Sequence, residues 1–176
     1  PLCKDVISRL GCNTLYLKQI VLYLFKKNII GFYDNTICIL NFELLQTELN
    51  GLPPETHSLI NLRYTTLLKQ NSDTKDRIKD LFWSVLIFDK FPKIFTRCID
   101  GLPLGLLKTC TELGFLKSDG ETVTFEHQLI AKSILISIQE DAYTAHPVIT
   151  KIGLSEATKN NFIKELKADR YSTVKF

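Results

Sequence analysis

The stretch at residues 114–130, GFLKSDGETVTFEHQLI, restricts the fold more than any other part of the sequence. Asp119-Gly120 lies between two short runs that favour strands, and Asp-Gly in that setting is the strongest short-range signal for a β-hairpin. Apolar residues with helical spacing precede the first run and follow the second. The sequence therefore predicts two paired strands placed directly between two helices, with His127 at the change from strand to helix.

Most of the remaining chain is predicted to be helical. Eight glycines and six prolines in 176 residues are too few for a loop-rich β-sandwich. We expect helices in the following segments: 1–10, 13–27, 53–67, 76–90, 92–101, 102–114, 127–140 and 155–170. A turn at Asp34-Asn35 and a short strand over residues 36–40 interrupt them, whereas residues 42–49 fit either a helical turn or a second strand. The segment 146–154 is expected to be irregular.

Residues at the helix ends give further expectations. Asn13 or Thr14 can cap the helix that follows, and Gly31 is expected to stop it. Ser72 or Asp73 is expected to cap the helix over residues 76–90. Three helices over residues 76–114, followed by a hairpin, have the order of a winged helix, which is one form of the helix-turn-helix motif.

The charge pattern argues against nucleic acid as a partner. The net charge is only +3, and the third of these helices, LPLGLLKTCTELG, has a single cation, Lys108, beside Glu112. Nonspecific affinity for DNA requires several phosphates to be neutralised together. On the hairpin, Lys117 is offset by Asp119 and Glu121. The predicted winged helix is therefore expected to pack against, or contact, protein.

The sequence indicates neither a metal site nor an active site. Its five cysteines, an odd number, form no CxxC pair, so we expect reduced thiols in a cytoplasmic protein and neither zinc nor a disulfide framework. Cys12, just before a predicted helix, is the best candidate nucleophile, but no base lies near it in sequence. No GxxxxGK[ST] phosphate loop is present, and the chain alone is expected to be no enzyme and to hydrolyse no ATP.

The ends and the apolar runs lead to two more expectations. The sequence contains no methionine, even at position 1, which indicates a processed chain or a piece of a longer protein. The most apolar run, Leu15–Phe25, contains Lys18 and is too short to span a bilayer, so we expect a core helix and no membrane contact.

Four stretches resemble the region after the ATPase core in STAND-type signalling ATPases, specifically the AAA-like members linked to adenylyl cyclases, protein kinases and transcriptional activators. They span residues 5–138: GCNTLYLKQIVLYLFKKNII, LPPETHSLINLRYTTL with Leu59, Ile60 and Arg63, LPLGLLKTCTELGFLKSDG, and VTFEHQLIAKSIL. The resemblance implies a mainly α fold. It would comprise a helical lid (residues 1–70), a winged helix of three helices and a β-hairpin (76–140), and a C-terminal extension with a helix (141–176).

The resemblance also implies a function for this region. In related proteins the histidine after the wing reaches the phosphates of ADP, and that role falls on His127. Asn13 and Thr14 match the lid positions near the nucleotide, although Thr14 replaces the family's proline. The expected function is a regulatory, non-catalytic module whose contacts depend on the nucleotide state. Its partners would be an upstream ATPase core or other protein domains, with ATP or ADP and any oligomer belonging to the parent protein. The alternative is a free-standing winged helix that binds protein or DNA.

Overall fold

The computed structural model describes residues 13–145 and 154–167. The chain divides into two compact units, Pro1–Thr65 and Thr66–Phe176. The described residues are mainly helical, as the sequence predicts, and include two small antiparallel sheets. The helix predicted over residues 1–10, the candidate nucleophile Cys12 and most of the predicted irregular segment lie outside the described residues. The expected limits of a lid, a wing-bearing domain and an extension stay a prediction.

Unit 1 starts with helix α1, Thr14–Lys26. Asn13 is its N-cap, because the Asn13 side-chain oxygen accepts the backbone N–H of Tyr16 at 3.1 Å. The predicted cap is thus confirmed. Tyr16, Ile20, Tyr23 and Leu24 recur with helical spacing and are buried in the core of the unit.

A hairpin follows α1 where the sequence analysis expected a helix stop. Strand β1 is Ile30–Tyr33 and strand β2 is Thr36–Ile39, paired in the register Ile30↔Ile39 and Tyr33↔Thr36. The prediction that Gly31 stops the helix is wrong. Asn28, with φ of 55°, interrupts the helical backbone three residues earlier, and Asp34 and Asn35 both have positive φ, as a two-residue hairpin turn requires.

Two further helices complete the first unit and lead out of it. Helix α2 is Phe42–Gly51, which resolves the open choice for this segment in favour of a helix. Helix α3 is Thr56–Gln70, so Pro53, Pro54 and Glu55 precede it, and the division between the units falls within it. Leu45 of α2 and Leu59 of α3 join the core formed by α1 and β1.

Unit 2 contains the rest of the described chain. A 3₁₀ turn at Ser72–Thr74 leads to helix α4, Lys75–Phe88. The predicted capping of α4 by Ser72 or Asp73 is wrong, because Thr74 occupies the N-cap position and its side chain makes no capping hydrogen bond. The later elements are β3 (Phe91–Pro92), a 3₁₀ segment (Lys93–Cys98), α5 (Leu106–Glu112), β4 (Leu116–Ser118), β5 (Thr122–Phe125), α6 (Gln128–Ala145) and α7 (Glu156–Lys167).

The segment 92–101 differs from the expected α-helix. Its first residue, Pro92, forms β3 together with the preceding Phe91. Strand β3 pairs with β5 in the register Phe91↔Val123, and the backbone N–H of Lys93 donates to the Glu121 carbonyl at 2.8 Å. Extended pairing of Phe91 and Pro92 leaves only residues 93–98 for a helix, and they adopt the tighter 3₁₀ form.

The predicted hairpin at Asp119-Gly120 is confirmed. Strands β4 and β5 pair in the register Leu116↔Phe125, within a sheet of order β3-β5-β4. Gly120 has φ of 103°, a conformation that side chains disfavour. The sheet packs on α4, and fully buried residues from five elements, together with Phe115 just before β4, form the core: Ile78, Leu81, Phe82, Phe91, Phe115, Leu116, Val123, Ile130 and Ile134.

Candidate functional site

His127 lies where the sequence predicts it, between β5 and α6. Its imidazole Nδ1 accepts the backbone N–H of Leu129 at 3.0 Å, and the side chain is exposed. One ring nitrogen of His127 therefore accepts a hydrogen bond from a backbone amide in the first turn of α6. This nitrogen does not donate to a backbone carbonyl. With Nδ1 accepting, the neutral ring carries its proton on Nε2, which is bonded to none of the residues that the structure describes.

The other predicted nucleotide-linked residues, Asn13 and Thr14, are neighbours in unit 1. Both polar atoms of the Asn13 side chain are hydrogen-bonded within unit 1. The oxygen accepts the Tyr16 N–H, and Nδ2 donates to the Thr56 hydroxyl at 3.2 Å. Thr14 is exposed as the first residue of α1. Asn13 therefore joins the start of α1 to the start of α3, whereas His127 belongs to unit 2.

Arg63, which the resemblance placed in the α3 motif, is buried in unit 1 at 5% exposure. Its guanidinium donates to the Gln19 side-chain oxygen, and Gln19 is itself fully buried. Burial lowers the pKa of Arg63 to about 10 from its ordinary value of 12.5, so the group stays charged at neutral pH. The arginine of the motif thus acts within the core of unit 1, between α1 and α3.

A buried carboxylate in unit 2 was not identified from the sequence. Asp80 of α4 is 2% exposed, and its two oxygens accept hydrogen bonds from the start of α7. The donors are the Ser155 backbone N–H at 2.9 Å, the Ser155 hydroxyl at 2.6 Å and the Thr158 hydroxyl at 2.7 Å. We call these three residues, Asp80, Ser155 and Thr158, the polar clasp. It places a negative charge at the positive end of α7, where the helix dipole stabilises it.

Apolar and charged contacts continue the attachment of α7 to unit 2. The Phe162 ring is buried, with its centroid 5.5 Å from that of Phe88, 5.9 Å from Phe95 and 6.1 Å from Phe91. Aromatic rings at these separations attract one another beyond the burial of their area. Further along α7, Glu165 accepts a hydrogen bond from Arg97 at 2.7 Å. Helix α7 therefore contacts α4 through the polar clasp and the 3₁₀ segment through Phe162 and Glu165.

The sequence contains no local signal for the clasp. On α4, Asp80 lies opposite the apolar stripe that includes Ile78 and Leu81, on the side where helical spacing predicts exposure to solvent. Its burial requires partners, because burying an unpaired charge is costly. Its partners come from residues 75 and 78 positions later, and no local pattern connects them to Asp80.

The exposed charges on α5 and the β4–β5 hairpin are offset by acids. Lys108 lies 3.7 Å from Glu112 on the same helix, and Arg97 is paired with Glu165. At the tip of the hairpin, Asp119 accepts hydrogen bonds from the Thr122 amide at 2.8 Å and from its hydroxyl at 2.9 Å. The Thr122 backbone bond lowers the pKa of Asp119, so the tip is negative at neutral pH. Such a surface offers few cations to a phosphate backbone.

The thiols and acids of the described residues show no reactive or metal-binding cluster. Burial raises the pKa of Cys110 to about 12, and that of Cys98 is raised by burial and then by nearby Glu165. These two thiols are protonated at neutral pH and are therefore poor nucleophiles. Within residues 13–145 and 154–167, no three His, Cys, Asp or Glu side chains are grouped to hold a metal ion.

None of the described helices is both long enough and apolar enough to cross a membrane. Comparisons with protein-family models, with curated proteins and with solved structures found no significant match.

Proposed function

We propose that this chain is a non-catalytic regulatory module of a STAND-type signalling ATPase. In this proposal unit 2 is a winged helix, unit 1 is a helical lid, and the module makes intramolecular or protein–protein contacts that depend on the nucleotide state. In this proposal nucleotide hydrolysis belongs to an ATPase core elsewhere in the parent protein, because these 176 residues contain no phosphate loop.

The observation that carries the proposal is the order of elements in unit 2. Helix α4, strand β3, a 3₁₀ segment, helix α5 and the β4–β5 hairpin follow one another, and β3 joins the hairpin in one sheet. A winged helix has the same succession, with the 3₁₀ segment in the place of its second helix. The hairpin is followed at once by His127 and α6, which is the position that the resemblance gives to the phosphate-contacting histidine.

The geometry of His127 supports a contact outside the chain. Nδ1 holds the first turn of α6, which fixes the plane of the ring and directs the Nε2 proton away from that turn. An exposed N–H donor of this kind can bond a phosphate oxygen of ADP held by a separate core. In the proposed mechanism this contact favours a closed state, and its loss shifts the equilibrium towards an open one.

Protein contact is favoured over DNA binding by the pairing of the cations. Lys108 and Arg97, which would face phosphates in a DNA-binding winged helix, each have an acidic partner in unit 2. Leu104, two residues before α5, has a fully exposed apolar side chain. This arrangement suits a protein surface better than a polyanion.

The coding sequence upstream of Pro1 tests the proposal. We expect it to encode a GxxxxGK[ST] loop after a strand-like segment, followed by a second strand ending in acidic residues. An upstream region without such a loop would contradict the assignment to an ATPase. A gel shift of the chain with random duplex DNA at 50 and 200 mM salt tests the alternative, since nonspecific binding weakens steeply with salt. We expect no shift at either concentration, whereas a salt-sensitive shift would favour a DNA-binding winged helix.

A further inference from the structure

The hairpin of unit 1 carries an unusually dense set of exposed apolar side chains. Seven large ones, each about half exposed or more, lie within thirteen consecutive residues, and we call them the hairpin patch: Phe32, Tyr33, Ile37, Ile39, Leu40, Phe42 and Leu44. Phe32 and Tyr33 are 65% and 78% exposed. The register places Phe32, Ile37 and Ile39 on one face of the hairpin and Tyr33 on the other, so both faces carry exposed apolar side chains.

The hairpin patch also contains an open sheet edge. Among residues 13–145 and 154–167, this sheet consists of β1 and β2, and no third strand lies along the outer side of β2. The Leu40 N–H donates to the Ile29 carbonyl at 2.8 Å, and bonded pairs alternate along an antiparallel ladder. Hence Thr36 and Cys38 direct their backbone groups towards β1, whereas Ile37 and Ile39 direct theirs outwards. Such an edge is a template for another strand.

The uncharged sequence of β2 indicates that a second copy of the same strand can pair with its outer edge. Residues 36–42, TICILNF, contain no charged side chain, so two copies of this strand can pair without repulsion. Natural edge strands that avoid self-pairing usually contain a charge or a proline, and β2 has neither.

We propose that two copies of this chain associate through their β2 strands, forming a four-stranded antiparallel sheet about a twofold axis at Cys38. In this register Ile37 of each copy pairs with Ile39 of the other copy. The outward N–H and C=O groups of Ile37 and Ile39 are then all hydrogen-bonded across the interface. The two Cys38 residues then form a non-bonded pair with Cα atoms about 4.5 Å apart. The inference is independent of the proposed ATPase relationship, because it depends only on unit 1.

Sedimentation of the 176-residue chain under reducing conditions, at 1–200 µM, tests the association. We expect a dimer for the unmodified chain and a monomer for the double variant I37K/I39K, in which four lysines would meet at the interface. The matched control is I136K in unit 2, because Ile136 and Ile39 are both 49% exposed. The control should remain dimeric. A monomer at all concentrations, or equal loss of the dimer in the control, contradicts the proposal and assigns the patch to a different partner.

Disulfide formation tests the register even where the double variant fails to fold. Diamide removes two electrons and two protons from a pair of thiols and is itself reduced to the hydrazine. Two Cys38 residues at the predicted separation can form a disulfide without backbone movement. We expect a covalent dimer within minutes for the unmodified chain and for Cys12→Ser, and at least a tenfold lower yield for Cys38→Ser. An unchanged yield for Cys38→Ser would overturn the register, and no covalent dimer at all would overturn the pairing.

Discussion

Asp80 is a carboxylate buried in unit 2, where it accepts three hydrogen bonds from the start of α7. In Asp80→Asn an amide donor would replace one acceptor and face the Ser155 and Thr158 donors. Because hydrogen bonds to charged groups contribute about 1.5–3 kcal/mol each, we expect the free energy of unfolding to fall by about 2 kcal/mol. Trp83, the single tryptophan of the sequence, lies on α4, so its fluorescence during urea unfolding reports on unit 2.

The control for this substitution lies one helical turn away. Asp76 is on α4 as well but is exposed, and Asp76→Asn should change the unfolding free energy by less than about 0.5 kcal/mol. Equal stability losses in the two variants would mean that the polar clasp does not attach α7.

Glu48 of unit 1 has a pKa that is lowered by two hydrogen-bond donors, Lys27 and Tyr23. Hydrogen bonds from Lys27 at 2.6 Å and from Tyr23 at 2.6 Å lower the pKa of Glu48 below its ordinary value of 4.5. The pKa is lower in the folded state, so the stabilisation is present above pH 4.5 and is lost as pH falls through the folded-state pKa.

Removing one donor should return the Glu48 pKa part of the way towards 4.5. We expect this in Lys27→Met, where the Tyr23 hydroxyl remains, and no change in Lys26→Met, because Lys26 is exposed and makes no bond to Glu48. An NMR titration of the Glu48 carboxyl carbon measures the pKa directly. An unchanged Glu48 pKa in the Lys27 variant would show that the Lys27–Glu48 bond is not formed in solution.

Besides the polar clasp and the Arg97–Glu165 pair, the buried ring of Phe162 holds α7 against the rest of unit 2. Replacing a buried phenylalanine by alanine costs about 3–5 kcal/mol, and Phe162 contacts three other rings. We expect Phe162→Ala to release α7 before the rest of unit 2 unfolds, so that amide exchange accelerates over residues 156–167 and not over α4.

Ile163 provides the comparison for Phe162. Ile163 follows Phe162 on the same helix, but its side chain is 48% exposed. Ile163→Ala should leave amide exchange in α7 almost unchanged. Equal acceleration of amide exchange in the two variants would mean that the Phe162 contacts do not hold α7 in place.

Elements specified by local signals could be predicted from the sequence. The Asp119-Gly120 hairpin, the cap at Asn13 and the apolar stripe of α4 each depend on residues within one or two turns. The β1–β2 hairpin was only half predicted, because the apolar residues before the Asp34-Asn35 turn also fit the end of a helix. The polar clasp and the short strand β3 depend on partners far along the chain, and single-sequence patterns contain no information about such pairings.

At the scale of the whole molecule, the described residues form two compact units. We propose separate roles for them: unit 1 would associate with a second copy through β2, and unit 2 would use the exposed His127 in a nucleotide-dependent contact. The central claim is that the chain acts by changing contacts with an ATPase core.

The affinity of the chain for that core, in two nucleotide states, tests the claim most directly. The proposed ATPase core would be titrated with the chain in ADP and in a non-hydrolysable ATP analogue. The account predicts binding at least about tenfold tighter in ADP, a difference typical of allosteric coupling. His127→Ala should remove this preference, and the exposed His57→Ala should not. Equal affinity in ADP and in the analogue, or a preference unaffected by His127→Ala, would contradict the account.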